Sequence, residues 1–320
     1  ARPLGVDGAS LRPVAEAALA LGDAGRHAAR IFFESWFDPL EVVPASGGGF
    51  VTGYYEPEVD GAVTRSPAFP GPLHAPPADL VEIADTDDRS NLDLALTWAR
   101  RHPGGGLSEH PDRAAIMAGA LGPDAPAVAF VRDWIEAFFI HVQGSARIRL
   151  AGGGVRRVTF AAKSGHPYFA VARVLVERGL MTAAQATADV LRSYLEQHPE
   201  DVAAILLRNR SYIFFREAPV SDSALGPVAA AGVALTPGRS LAVDRHLHTF
   251  HLPVFVSADL GDPEPFRRLM IAQDTGSAIV GPARGDLFCG SGDDAWRRAA
   301  RIRHPASFIL LRPRSHPRGA

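Results

Sequence analysis

Several things are scarce in this chain of 320 residues. It has one cysteine, Cys289, so no intrachain disulfide can form. That suits the cytosol and does not exclude the periplasm. It has one lysine, Lys163, and its other basic side chains are arginines. Beside so much Ala, Gly and Pro, this pattern is read as genomic composition bias, not as an arginine surface built for a task. A net charge of -2 leaves no electrostatic case for nucleic acid as a partner. No apolar run approaches the roughly 18 residues of a membrane span. The first residue is Ala1 and not Met, so a signal peptide removed upstream of this numbering is the expectation.

What is present describes a soluble globular protein, with 47% hydrophobic and 21% charged residues. The length suits one large domain or two ordinary ones. Glycine and proline are frequent enough to demand many turns, which points to a β-rich or mixed fold. Residues 10–22 and 26–37 are expected to form amphipathic helices, the first capped by Ser10. In the second, Ala28, Ile31, Phe32 and Trp36 make an apolar face assigned to the core. Residues 50–58 are aromatic, β-branched and bounded by Gly and Pro, which reads as a strand. The Pro-rich stretch 61–93 has little periodicity and reads as a crossing between domains. Helices are expected at 112–121 behind Asp112, at 134–141 behind Asp133, at 169–179, and at 183–197 behind Thr182. Strands are expected near 145–150, 155–162, 211–216, 241–245, 253–256 and 269–272. The tail from Arg312 should fray.

Chemistry concentrates in Ala272 to Gly292. Asp274 and Asp286 fall at what read as turn edges, the second followed by Leu287 and Phe288. Partial desolvation there raises a carboxyl pKa, which suits a general acid. The plain alternative is that both aspartates close Asx-turns. Asp274-Thr275-Gly276 matches the aspartic-protease loop, but that fold needs a second such loop and none is present. Gly53 in a strand marks close approach of another group. Tyr54 and Tyr55 could stack on sugar rings, or be half-buried strand residues. His246, His248 and His251 lie close together, yet no Cys or carboxylate completes a convincing ligand set, so no metal is expected.

Taken together, Gly53-Tyr54-Tyr55-Glu56-Pro57, Gln143-Gly144-Ser145, Gly165-His166-Pro167-Tyr168, Ala242-Val243-Asp244-Arg245 and the run from Gln273 to Gly292 resemble one family. It is the membrane-bound lytic murein transglycosylase A family (MltA), whose C-terminal part is called the 3D domain after three aspartates. Here these would be Asp244, Asp274 and Asp286. The resemblance spans roughly residues 50 to 311, in the right order. It implies a mixed, β-rich fold with peripheral helices. A double-psi β-barrel catalytic domain would take 1–57 and 215–320. A smaller β-rich domain would be inserted at 58–214, with a groove between them.

The implied activity is cleavage of the β-1,4 bond between N-acetylmuramic acid and N-acetylglucosamine in peptidoglycan, leaving 1,6-anhydromuramic ends. Glycosidases ordinarily use two carboxyls. Here the sugar's own C6 hydroxyl closes the ring, so one carboxyl suffices as acid and then base. By position in the motif that residue is Asp286, with Asp274 and Asp244 supporting it. Thr52, Gly53, Tyr54, Tyr55, Gln143, Gly144, Ser145 and His166 are the implied substrate contacts, with Lys163 and His166 equally able to brace loops. No cofactor is implied. The partners are peptidoglycan glycan strands, with other cell-wall enzymes and a monomeric state as further expectations. The location is the periplasm, soluble rather than anchored since no lipid-anchoring Cys stands at the start, with outer-membrane association left open. The alternatives are an inverting glycoside hydrolase on the same barrel and a non-catalytic peptidoglycan-binding module. Three departures stand out: Cys289 where the family carries an aromatic, Ala146 where it carries Gly, and Thr249-Phe250-His251 in place of a Pro-Leu-Gly-like turn.

Overall fold

The computed structural model describes residues 3–45, 47–183, 185–220 and 222–318. The chain opens with α1 (Arg12–Leu21), α2 (Gly25–Trp36), β1 (Phe37–Glu41) and β2 (Phe50–Glu56). It continues through β3 (Glu58–Ala62), β4 (Gly71–His74), β5 (Leu80–Glu82), β6 (Trp98–Arg101), β7 (Leu107–Ser108) and α3 (Arg113–Met117). Next come β8 (Ala127–Val131), α4 (Trp134–Gln143), β9 (Ser145–Leu150), β10 (Val155–Lys163), α5 (Ala172–Glu177) and α6 (Ala188–Gln197). After α7 (Val202–Leu206) and β11 (Ile213–Ala218) follow β12 (Ser240–Val243), β13 (Pro253–Ala258) and β14 (Phe266–Asp274). The chain closes with β15 (Arg284–Ser291), α8 (Gly292–Ala299) and β16 (Arg303–Pro313).

Two compact units result. The first comprises Ala1–Tyr55, Ala224–Gly290 and Asp294–Ala320, the second Glu56–Ser223 and Ser291–Asp293. In the first unit, β2, β16, β13, β14, β12 and β15 pair in a ring that closes on itself, a six-stranded barrel. Closure leaves these strands without free edges. β12 and β14 run parallel, and β1 adds to the later part of β16. Alternate residues of the ring point inward: Val51, Leu241, Val243, Val254, Val256, Met270, Ala272, Leu287, Phe308 and Leu310 make one buried cluster. Each of these side chains except Ala272 contributes about 1.5–3 kcal/mol on leaving water. Strand period two then sends the intervening residues, Thr52 and Asp286 among them, to the face away from that core.

The second unit holds a six-stranded sheet in the order β11-β10-β9-β3-β8-β4 and a three-stranded sheet β5-β6-β7. Its central helix, α4, is buried at Ile135, Ala137, Phe138, Phe139, Ile140 and His141. A helix apolar nearly all round must be covered on both sides. Accordingly Ala137 and Ile140 join the sheet's core, while Ile135, Phe138 and Phe139 join a core with α5, α6 and α7. Asp133 caps α4 by accepting from the Glu136 N–H at 2.8 Å. Gly144 ends it in the left-handed conformation, φ 79°, the usual place for glycine past a helix.

The mixed, β-rich fold read from the sequence is the fold observed, a barrel plus a separate β-sheet unit with helices. Local expectations fared unevenly. Ser10 does not cap the first helix; it lies in a short 3-10 turn capped by Asp7, and α1 begins at Arg12. α2 has no buried residue, and Ile31 is 50% exposed, so its aromatic face is only half covered. Phe32, Phe33, Trp36 and Phe37 instead contact one another, edge to face for Phe32–Phe33 and stacked for Phe33–Phe37. The stretch 61–93 is not a crossing between units: it lies inside the second and contributes β4 and β5. Its prolines fall beside short strands or, for Pro72, inside the edge strand β4, where a missing N–H costs little. The helix expected from 183 starts at Ala188 behind Thr187, whose hydroxyl accepts from the Val190 N–H. The described part of the tail, to Arg318, is tied down rather than frayed, because Arg314 is bonded to Asp38 and to the Glu34 and Ser35 carbonyls.

Candidate active site

The barrel's outward face gathers four of the residues singled out from sequence. Asp286 lies inside β15, not at a turn edge as the glycines around it suggested. On β12, Ala242 is in register with Asp286 of β15 on one side and with Asp274 of β14 on the other. The register between β12 and β14 shifts there, from Leu241 opposite Ala272 to Ala242 opposite Asp274. Gln273 is the extra residue. A bulge re-aims the side chain that follows it, and this one turns Asp274 away from the core to which Ala272 belongs. Two strand spacings put the two aspartate backbones roughly 10 Å apart. Ala242 between them is the smallest side chain a floor could have.

β2 supplies the partners. Thr52 and Tyr54 are two residues apart and share a face. Thr52 Oγ1 donates to Asp286 Oδ1 at 2.5 Å. Tyr54 donates its hydroxyl to Asp274 Oδ2 at 2.8 Å, and its ring lies 5.3 Å from that of Phe288. Asp274 Oδ1 accepts from the N–H of Thr275 at 2.8 Å and of Ala230 at 3.5 Å. The two carboxyls therefore differ. Both oxygens of Asp274 are engaged. Asp286 Oδ2 has no hydrogen-bond partner among the described residues and is not sealed from solvent.

Electrostatics separates them further. Dense surrounding protein makes ionisation of Asp286 costly and lifts its pKa to about 6, against the Thr52 hydrogen bond and the Arg284 charge, with Asp274 adding to the rise. Burial also raises Asp274, opposed by its three hydrogen bonds. Burial first, and then the Asp274 charge, hold Tyr54 well above the ordinary phenol range, so it stays a donor. Cys289 is pushed up to about 12 by burial. It is a thiol packed in the wall, with no thiolate chemistry at ordinary pH.

The remaining candidates occupy other positions. Asp244, just after β12, accepts from the N–H of His246 and of Gly281, both at 2.9 Å. It staples two loops and touches neither of the other aspartates through a hydrogen bond. Gly53 is glycine for a reason within the barrel unit: a Cβ there would meet the Ala299 backbone at 2.8 Å. Tyr55 points the opposite way from Tyr54 and packs on Trp296, ring centroids 5.1 Å apart. In the second unit, Gln143 and Gly144 end α4 and Ser145 begins β9, opposite Thr159. His166 is buried, with Nε2 2.7 Å from the His110 carbonyl, a bracing contact. His248, one of the three clustered histidines, faces the Pro282 carbonyl at 2.8 Å. Among the described residues no group of three His, Cys, Asp or Glu side chains could hold a metal.

Sequence reading missed three polar centres. Arg284 donates Nη2 to Thr52 Oγ1 at 2.7 Å and lies over the Phe50 ring. Its position two residues before Asp286 on a strand was the available signal. Glu56, fully buried at the start of the second unit, pairs with Arg147 at 2.9 Å and Arg157 at 2.8 Å, and accepts from Ser291. Arg113, 1% exposed, donates to the carbonyls of Asn209 and Ser211 and to His141, beneath the rings of Phe138 and Tyr212. Nothing in local sequence distinguishes these arginines from the many exposed ones.

Comparison with known proteins places this geometry among relatives. Residues 50–216 match the MltA specific insert domain and residues 239–312 match the 3D domain. A solved membrane-bound lytic murein transglycosylase from Agrobacterium tumefaciens is 40% identical, with a TM-score of 0.86 over 96% of this chain and 85% of that one. Membrane-bound lytic murein transglycosylase A of Escherichia coli K12 is 28% identical over 305 residues, 92% of this chain and 73% of that protein. A structure of the E. coli protein with bound chitohexaose has the same fold, with a TM-score of 0.73 at 24% identity over 95% of this chain and 84% of that one. Those curated relatives are named membrane-bound; among the described residues here no helix is long and apolar enough to cross a membrane.

Proposed function

The chain belongs to the MltA family of lytic murein transglycosylases, enzymes of peptidoglycan, and from that premise we propose that Asp286 alone supplies the acid and the base of the reaction. The observation that carries the proposal is the unequal use of its two oxygens: Oδ1 is held by Thr52 and Oδ2 is left open. A carboxyl with a pKa near 6 holds its proton in mildly acidic medium, as a general acid must.

The proton on Oδ2 passes to the glycosidic oxygen as the bond from the muramic C1 breaks. Positive charge grows on the ring, beside two aspartates. The same muramic residue's C6 hydroxyl attacks C1, and its proton goes to the Asp286 carboxylate. One C–O bond breaks and one forms, the enzyme ends as it began, and no water enters. Intramolecular attack carries an effective molarity of about 10⁵–10⁸ M, and proton transfer adds about 10²–10⁴-fold. The product is the 1,6-anhydro end.

Asp274 is assigned electrostatic support and Asp244 the staple of the loops behind it. The three hydrogen bonds that Asp274 accepts lower its basicity, which speaks against the inverting reading, where it would have to take a proton from water. We assign catalysis to the barrel unit and sugar contacts to Thr52 and Tyr54 there, while Gly53 and Tyr55, on the opposite face of β2, pack against α8 and are assigned a supporting part. Gln143, Gly144 and Ser145 are assigned to the glycan in the second unit, and His166, held on the His110 carbonyl, is assigned a bracing part there. One relative of this fold holds chitohexaose, which supports a glycan strand as ligand. The periplasm, where murein lies, is the proposed location.

Asp286→Asn keeps the acceptor for Thr52 and removes the proton donor. Release of muropeptides from purified sacculi should then fall below measurement while circular dichroism is unchanged. Retention of a tenth or more of wild-type turnover would overturn the assignment.

A further inference from the structure

We propose that Arg284 is a positioning residue that, through Thr52, decides which oxygen of Asp286 carries the catalytic proton. The inference rests on Asp286 being the acid. A guanidinium donates and never accepts. Arg284 Nη2, 2.7 Å from Thr52 Oγ1, therefore occupies one of that oxygen's lone pairs. The threonine's one hydrogen is left for Asp286 Oδ1, 2.5 Å away. With Oδ1 already receiving a hydrogen and lying on the side of a fixed cation, the carboxyl's own proton belongs on Oδ2. That oxygen is the one without a protein partner among the described residues, so the acid is aimed at the ligand rather than into the wall.

Arg284 is itself held in place. Nη1 donates to the Gly285 carbonyl and the guanidinium lies 5.9 Å over the Phe50 ring. No salt bridge engages it among the described residues. Its arrangement with Thr52 links β15, the strand that carries the reacting group, to its neighbour β2. The titratable groups acting on Asp286 are Arg284 on its own strand and Asp274 on β14, while Asp286 in turn acts on Tyr54 of β2 and on Cys289. Of these Arg284 is the one cation, so its removal has a signed consequence: the acid should hold its proton to higher pH.

The test is the pH dependence of kcat and KM on purified sacculi for wild type, Arg284→Gln, Arg284→Lys, Thr52→Val and Asp286→Asn. Arg284→Gln should lower kcat about tenfold or more with KM within about twofold, and move the limb on which activity falls with rising pH to higher pH. Thr52→Val, which deletes the relaying hydroxyl, should move the limb the same way. Arg284→Lys should restore part of kcat and return the limb toward wild type. If both Arg284→Gln and Thr52→Val leave the limb where it is, or if Arg284→Gln changes KM alone, the proposal is wrong. If Arg284→Gln does not fold, the Lys and Val variants decide between these outcomes. An Asp286→Asn enzyme that still turns over would instead sink the reading of Asp286, whatever Arg284 does.

Discussion

Replacing Asp286 by Asn should make the protein more stable, and only above a definite pH. Burial raises the folded pKa of Asp286 from 3.8 to about 6. An acid whose folded pKa exceeds its unfolded one favours folding most when protonated in both states, below about 4. That advantage fades as pH rises through the folded value near 6, because the native state must then hold a charge it solvates poorly. Two units at 1.36 kcal/mol each set a ceiling of about 3 kcal/mol, and partial solvent contact at Oδ2 brings the expectation nearer 2 kcal/mol. Asparagine carries no charge and keeps an acceptor for Thr52, so it escapes this penalty. Urea unfolding of wild type and Asp286→Asn should give equal free energies at pH 4 and a gap of about 2 kcal/mol in favour of Asn at pH 8. A gap of the same size at both pH values, or none at pH 8, would show that Asp286 is not held in an unfavourable environment. The proposed acid would then have no physical basis.

Three further outcomes follow from the second unit and its ion pairs. His74 sits 2.8 Å from the Tyr212 hydroxyl, and burial lowers its pKa to about 4. Its contribution is complete above pH 6.5 and is lost as pH falls toward 4, about 2–3 kcal/mol in all; His74→Gln should flatten the acid slope of stability between those values. Glu56→Gln leaves Arg147 and Arg157 buried without their carboxylate, and should cost about 3 kcal/mol in denaturant unfolding. Gly165→Ala puts a Cβ 2.2 Å from the Trp98 carbonyl at φ +90°, and should cost about 3 kcal/mol or prevent folding.

How much of this was readable in advance depends on the range of each interaction. Asp112 and Asp133 cap their helices as expected, because a cap acts within four residues of sequence. The break between the strands expected at 145–150 and 155–162 was legible for the same reason. Asp286 was singled out as the acid, yet its surroundings were read as a turn. The apolar spacing that makes β15 a strand is set by the barrel core, through Gly285 and Leu287 facing inward. β16 and α8 were not foreseen: β16 draws its partners from β1, β2 and β13, more than 40 residues away. The bulge at Gln273 that aims Asp274 exists only once β12 and β14 are side by side. Arg284 escaped notice for a related reason: its partner, Thr52, lies 232 residues earlier. Glu56 was quoted in a motif, while its ion pairs with Arg147 and Arg157 span 91 and 101 residues.

The most direct measurement is mass spectrometry of the muramic ends released by the wild-type enzyme from purified sacculi, with the reaction run in water enriched in oxygen-18. One side chain acting as acid and base, with the sugar as its own nucleophile, predicts anhydro ends, lighter by one water than reducing ends and free of the label. Reducing ends carrying the heavy oxygen would show that water attacks the ring, and would contradict the account.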